Sequence, residues 1–172
     1  LVEIGRLAQG NDEIEFFTYS PDTLRNKKIG DHLSKLLSRF KMKYHISVSN
    51  LAEQEKVAIY NQSDVIIFPF TKDITGMKVI DPPLTMLEAM ACAKVVIASR
   101  VVSIPHIVRH SENGFLVNPG DFKGFRNTLE YVINNSNELR HISMNARKTV
   151  QDRFSSEKIV DQVVSIYRSI LD

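Results

Sequence analysis

The sequence predicts an α/β protein, in which a Rossmann-like, doubly wound parallel sheet is followed by a helical C-terminal tail. Short β-rich segments alternate with helical patterns over most of the chain, and the pattern after residue 120 is purely helical. Several of the β-rich segments are almost continuously apolar, which is typical of strands that are covered on both faces of a parallel sheet. Strands that alternate with helices favour a doubly wound arrangement.

Five segments are predicted to be strands, and helical patterns lie between them. The predicted strands comprise residues 13–19, 44–49, 64–70, 94–99 and 114–117. The helical patterns comprise residues 28–40, 50–61 and 84–93. In the first of these, apolar residues recur close to the 3.6-residue period of an α-helix, at Ile29, Leu33, Leu36, Leu37 and Phe40.

Three further helices are predicted after the last strand. Asp121 is expected to cap the first of them, which runs to about Asn134. Ser136 or Asn137 is expected to cap the second, which reaches residue 154. The third opens at residue 155 or 156, and its apolar residues fall on one face: Ile159, Val163, Ile166, Tyr167 and Ile170.

The first ten residues admit two interpretations. Leu1, Ile4, Leu7 and Ala8 fall on one helical face and Gly10 suits a C-terminal cap, so residues 1–9 are interpreted as a helix. The alternative makes residues 1–7 a strand. If they are a helix, we expect the first strand of the sheet to be absent from the chain. Residues 1–172 are predicted to form a single domain, since one hydrophobic core commonly organises about 100–200 residues.

Composition narrows the class of protein. The apolar share of 43% and the charged share of 24% are those of an ordinary globular chain. A net charge of +2 and the absence of tryptophan argue against nucleic-acid binding. The basic clusters at residues 25–28 and 39–43 are interpreted as solvated helix ends, with peripheral membrane contact as the second interpretation. Cys92 is the only cysteine, which favours a reducing, cytoplasmic setting.

Residues 81–93, DPPLTMLEAMACA, contain the candidate site. Pro82 and Pro83 end a polar loop, and a helix is expected to begin close to Leu84 or Thr85. The free amides and the positive dipole end of that terminus form a site for a phosphate group. Glu88 lies one turn further along, where a carboxylate could accept hydrogen bonds from a ribose diol. The alternative is an exposed glutamate that only stabilises the helix dipole.

These residues and several later segments resemble one family. Residues 87–98, LEAMACAKVVIA, are similar to the LEAMA-x-G-x-P-V-I-A signature of retaining GT-B glycosyltransferases, the C-terminal donor-binding half of the group 1 type. Residues 59–65 resemble the family's LYxxADV, and residues 104–108 its GGxPEhV, in which h is apolar. Residues 112–121, ENGFLVNPGD, resemble its nGfLvxPgD strand, and residues 145–147 with 154–155 resemble its NAR…FS tail.

The resemblance implies a domain that binds a nucleotide diphosphate-sugar. Glu88 matches the second glutamate of the E-x7-E motif and would hold the ribose hydroxyls. The amides of Leu84 and Thr85, after Pro83, would meet the diphosphate, and Ser49 with Asn50 would lie beside the base. The family uses no metal or other cofactor, and it transfers the sugar with retention of configuration. The acceptor, a sugar or a lipid-linked glycan, would bind an N-terminal domain absent from this chain, so the isolated domain is expected to be inactive.

Several positions depart from the family pattern. Ile80 stands where the first glutamate of E-x7-E is expected, and Asp81, one position later, is the candidate catalytic replacement. Ala93 replaces a glycine and Val95 a proline. The GG pair before the PEhV-like segment appears as Val102-Ser103, and its glutamate is His106. Residues 5–7, GRL, resemble a motif whose arginine binds the diphosphate, but the match is interpreted as a coincidence, because too few residues separate Gly10 from the next strand for the helix that should intervene. Lys72 and Lys78 are either cationic partners of the diphosphate or solvated charges.

Three hypotheses follow from these observations. The first is the donor-binding domain of a sugar-transferring enzyme. The second is a non-catalytic module with the same fold, which the missing glutamate and the missing glycines favour. The third is a flavodoxin-like regulatory domain, which would need an acidic cluster at the strand ends and would leave the helical tail unexplained.

Overall fold

The structure is a computed structural model, and it describes residues 14–20, 24–40, 43–70 and 82–171. Across these ranges the strands are Glu15–Ser20 (β1), Lys43–Val48 (β2), Val65–Phe68 (β3), Val95–Ser99 (β4) and Phe115–Val117 (β5). The helices are Leu24–Leu37 (α1), Glu53–Gln62 (α2), Leu84–Ala91 (α3), Ile104–Ile107 (α4), Phe122–Asn134 (α5), Arg140–Phe154 (α6) and Ser156–Leu171 (α7).

The chain divides into two compact units, residues 1–58 and residues 59–172. In the first unit β1 and β2 pair in parallel, from Glu15 opposite Lys43 to Ser20 opposite Val48. Helix α1 packs against β2, and Leu37 near its end is fully buried. A parallel pair joined by a helical crossover is the arrangement that the alternating pattern predicted.

The second unit is built on a three-stranded parallel sheet in the order β3-β4-β5. Every residue of the central strand β4 is buried, because helices and neighbouring strands cover it on all sides. Helix α3 packs against α6, and both also contact β4. The core of this unit draws on α3, β4, the segment around α4, β5 and α6; it comprises Met86, Ala89, Met90, Val96, Ala98, Ile104, Ile107, Val108, Leu116 and Ala146.

The predicted fold class is confirmed. All five predicted strands are present, with ends that differ by one or two residues, and all are parallel. The helix expected from Leu84 begins there. The cap expected at Asp121 is also present, since its Oδ1 accepts the Gly124 N–H at 2.8 Å. A short side chain that accepts such an amide proton is what a helix start requires.

Several helix boundaries were wrong, and one short helix was missed. Helix α6 begins at Arg140 rather than after a cap at Ser136 or Asn137, because residues 135–139 form a turn that buries Leu139. Helix α1 begins and ends earlier than the predicted range of 28–40. Helix α4 is only four residues long, too short to produce a helical period in the sequence. The predicted apolar face of α7 exists, but no residue of this helix is buried.

The two interpretations of residues 1–9 lie outside the described residues. Within the part of the chain that the structure does describe, no helix combines the length and apolarity that crossing a membrane requires.

The backbone explains why the family pattern has glycine at two positions where this chain does not. Ala93 has φ 55° and Val102 has φ 44°, both in the left-handed region. A side chain there clashes with its own backbone, and a β-branched residue is especially unfavourable. Two of the three departures from glycine noted in the sequence, Ala93 and Val102, therefore place strain in this structure, whereas Ser103 has φ −87°.

Val102→Gly is expected to stabilise the chain by about 0.5–1 kcal/mol. Relief of the left-handed strain outweighs the larger entropy that glycine gives the unfolded chain. The Val102 side chain is 70% exposed and contributes little packing. Urea unfolding measures the gain, and Val102→Ala, which keeps Cβ, should recover less of it. Equal gains in both variants would show that φ is not the cause.

Candidate functional site

The carboxyl ends of β3, β4 and β5 meet at one edge of the sheet, because the three strands are parallel and in register. Ile67 pairs with Ile97, and Ile97 pairs with Phe115. The segment after β3 leaves from this edge and leads to α3. Ligands of open α/β sheets bind beyond this edge, so the start of α3 lies in the region where a ligand is expected.

Helix α3 has an open N-terminus. Pro83 is its N-cap residue, with φ −61° and ψ 124°, and no side chain caps the terminus. The Met86 N–H donates to the Pro83 carbonyl at 2.9 Å. Among the described residues the amides of Leu84 and Thr85 have no such partner. Two N–H groups that have no partner among the described residues, at the positive end of a helix dipole, suit an anion.

The sequence of α3 fixes which side faces outward. Met86, Ala89 and Met90 form its buried face. Leu84 is 62% exposed, and Glu88, four residues later, is half-buried. Residues three and four apart lie on the same side of a helix. The Glu88 carboxylate therefore lies one turn from the free amides, on the side that the core leaves open.

A neighbouring helix holds the Glu88 carboxylate. The Tyr60 hydroxyl, near the end of α2, donates to Glu88 Oε2 at 2.8 Å. The Tyr60 side chain is half-buried and packs against the core of the second unit. A carboxylate has about four acceptor positions on its two oxygens. Glu88 can thus accept the hydrogen bond from Tyr60 and still accept hydrogen bonds from two hydroxyl groups of a ligand.

The predicted site residues fall into three groups. Pro83, Leu84, Thr85 and Glu88 are brought together at the start of α3. Ser49 and Asn50 follow β2 in the first unit, where Ser49 Oγ lies 3.0 Å from Ser47 Oγ. Asp81, the candidate catalytic residue, lies outside the described residues, as do positions 6, 72, 78 and 80.

Two other features bear on the site. His106, which stands where the family pattern has glutamate, is exposed, and its carbonyl accepts a hydrogen bond from Arg153 Nη1 at 3.0 Å. Within the described ranges no three His, Cys, Asp or Glu residues are grouped so as to hold a metal ion. A cavity of about 310 Å³ opens at the opposite edge of the sheet, beside the first residues of β3 and β4, and is separate from this site.

Tyr60 is the site residue that the sequence reasoning missed. It was noted only as part of the segment that resembles LYxxADV. Its contact with Glu88 joins residues 28 positions apart, and periodicity cannot detect a contact at that separation. The one available signal is topological: the helix that carries Tyr60 precedes β3, and the chain leaving β3 leads to α3.

Sequence comparison places the chain among known proteins. The profile of the family described as "Glycosyl transferases group 1" matches residues 1–135. N-acetyl-alpha-D-glucosaminyl L-malate synthase of Bacillus anthracis is 33% identical over 122 residues, which are 70% of this chain and 30% of that protein. The chain thus spans about a third of the length of this relative.

Structural comparison gives the same fold. The Anabaena protein Alr3699/HepE, solved in complex with UDP, has a TM-score of 0.76 at 17% identity, over 98% of this chain and 44% of that one. The C-terminal domain of a glycosyl transferase group 1 family protein, LpcC, from Francisella tularensis has a TM-score of 0.65 at 16% identity. That match covers 90% of this chain and 92% of the domain. At these identities the likeness concerns the fold alone.

Proposed function

Because the chain belongs to the group 1 glycosyltransferase family, we propose that it is the donor-binding domain of an enzyme that transfers a sugar from a nucleotide diphosphate-sugar. The observation that carries this proposal is the pairing of two features on one face of α3. The free amides of Leu84 and Thr85 suit a diphosphate, and Glu88, one turn away, suits a ribose diol. The complex of Alr3699/HepE with UDP supports a nucleotide ligand for this fold.

The donor would lie with its diphosphate at the start of α3 and its ribose against Glu88. The helix dipole and the two N–H groups stabilise negative charge at that end. Charge on the phosphate increases as the glycosidic bond breaks, so the same groups would stabilise the transition state more than the bound donor. Asp81 is proposed to contact the sugar, and the assignment of Ser49 and Asn50 to the base stays a prediction from the sequence. No metal is required in this proposal.

The acceptor site is proposed to lie in the rest of the protein. The chain covers 44% of Alr3699/HepE and nearly all of the isolated LpcC C-terminal domain. We therefore assign acceptor binding, of a sugar or a lipid-linked glycan at the cytoplasmic side of a membrane, to a second domain. Transfer is proposed to retain the anomeric configuration and to require both domains.

Calorimetric titration of the intact protein with UDP, GDP and ADP tests donor binding. We expect one nucleoside diphosphate to bind at least tenfold more tightly than the other two, because the base contacts select among them. The corresponding nucleotide-sugars then identify the donor by competition. Failure of all three nucleotides to bind a folded protein would contradict the proposal.

Product analysis separates transfer from binding alone. Incubation of the intact protein with the selected nucleotide-sugar and candidate acceptors should give a product whose anomeric configuration, measured by NMR, matches that of the donor. An inverted product would refute retention. Binding with neither transfer nor donor hydrolysis would indicate a non-catalytic module.

A further inference from the structure

The hydrogen bond between Tyr60 and Glu88 leads us to propose that Tyr60 is a positioning residue for ribose recognition. In this role Tyr60 does not touch the ligand. It holds the carboxylate in the orientation that selects a ribonucleotide over a deoxyribonucleotide. The inference rests on the proposed function, because it assumes that Glu88 accepts the ribose hydroxyls.

The two side chains are unequal in rigidity. Glu88 has three rotatable side-chain bonds and projects from the open side of α3. Tyr60 has two, and its ring packs against the core of the second unit. The Tyr60 hydroxyl therefore offers a fixed donor 2.8 Å from Glu88 Oε2. A hydrogen bond to a charged acceptor is roughly twice as strong as one between neutral groups.

Fixing the carboxylate beforehand removes an entropy cost from ligand binding. A free glutamate side chain must lose its rotamer freedom when it binds a diol, and that loss weakens the complex. With Oε2 engaged by Tyr60, Oε1 and one acceptor position of Oε2 remain for a ligand. The two hydroxyls of a ribose diol can each use one of these positions.

The packing of the Tyr60 ring does not explain why this residue carries a hydroxyl group. Helix α2 carries no fully buried residue, and the Tyr60 ring is its contact with the core of the second unit. A phenylalanine would supply that contact equally well. The oxygen adds a donor aimed at a carboxylate, so the role of the oxygen can be tested separately from that of the ring.

The test compares Tyr60→Phe with the wild type in the intact protein. Each is titrated with the preferred nucleoside diphosphate and with its 2′-deoxy and 3′-deoxy analogues. We expect the variant to bind the ribonucleotide about 3- to 10-fold more weakly, while binding of the deoxy analogues changes less than about twofold. Tyr131→Phe, which removes the hydroxyl of an exposed tyrosine on α5, should change neither. Circular dichroism confirms that each variant is folded.

Glu88→Ala completes the cycle. It should remove most of the preference for ribose, and adding Tyr60→Phe to it should cause no further loss. If Tyr60→Phe weakens the ribonucleotide and the deoxy analogues equally, Tyr60 is structural and the inference is wrong. If Glu88→Ala removes the preference while Tyr60→Phe keeps it, the inference fails and the proposed function stands. If the wild type itself shows no preference for ribose, the assigned role of Glu88 fails and the inference fails with it.

Discussion

Glu88→Ala is expected to lower the affinity of the intact protein for its nucleoside diphosphate about 10- to 150-fold. The carboxylate would accept hydrogen bonds from the ribose hydroxyls, and the expected loss is that of one hydrogen bond to a charged group, about 1.5–3 kcal/mol, because water can replace the other in a half-buried site. The variant also removes the 2.8 Å hydrogen bond from the Tyr60 hydroxyl to Glu88 Oε2. Isothermal titration calorimetry measures the change directly.

Two further variants decide whether the effect belongs to this site. Glu130→Ala removes an exposed glutamate from α5 and should leave the affinity unchanged. Glu88→Gln keeps the size of the side chain but replaces one acceptor oxygen by a donor, so it should lose most of the affinity that Glu88→Ala loses. Wild-type affinity in Glu88→Ala, or an equal loss in Glu130→Ala, would contradict the assignment of Glu88 to the ribose.

The parts of the fold that depend on local pattern could be predicted from the sequence. Strand β4 lies between two other strands and contacts three helices, so all its residues except Ser99 are apolar and the run can be recognised without a structure. The start of α3 follows Pro82 and Pro83. Proline is tolerated in the first turn of a helix but not in its interior, so this pair marks a helix start. Asp121 has the short acceptor side chain that a helix N-terminus prefers, and the predicted cap is present.

The parts that depend on tertiary contacts could not be predicted in the same way. Ser136 and Asn137 are residue types that are preferred at the N-cap position, yet burial of Leu139 determines where α6 begins. In the site, the helix terminus and Glu88 follow from spacing along one helix. The Tyr60 contact does not, because it depends on how α2 and α3 lie beside one another. The left-handed backbone conformation of Val102 could not be predicted from its residue type either, because valine stands where the family pattern has glycine.

Asn113→Asp is expected to destabilise the folded chain by about 2–4 kcal/mol. Asn113 is 2% exposed, and its side chain makes three hydrogen bonds to described residues. Its Oδ1 accepts the Arg109 N–H at 2.6 Å, while Nδ2 donates to the Ile107 carbonyl at 3.0 Å and to Thr149 Oγ1 at 2.9 Å. The substitution keeps the shape but places a second acceptor against the Ile107 carbonyl and buries a charge, both of which are costly.

Urea unfolding of Asn113→Asp should therefore show a lower midpoint, whereas Asn127→Asp, at an exposed position on α5, should change it little.

Asn113 precedes β5 and so lies at the amino edge of the sheet, away from the start of α3. Nucleotide affinity of the folded fraction should consequently stay close to that of the wild type. Glu88→Ala should do the reverse, losing affinity with a much smaller loss of stability, because its half-buried side chain gives up only the hydrogen bond from Tyr60. If Glu88→Ala lowers mainly the nucleotide affinity and Asn113→Asp lowers mainly the free energy of unfolding, Glu88 binds the ligand and Asn113 stabilises the fold. An equal loss of stability in both variants would assign a structural role to Glu88 as well.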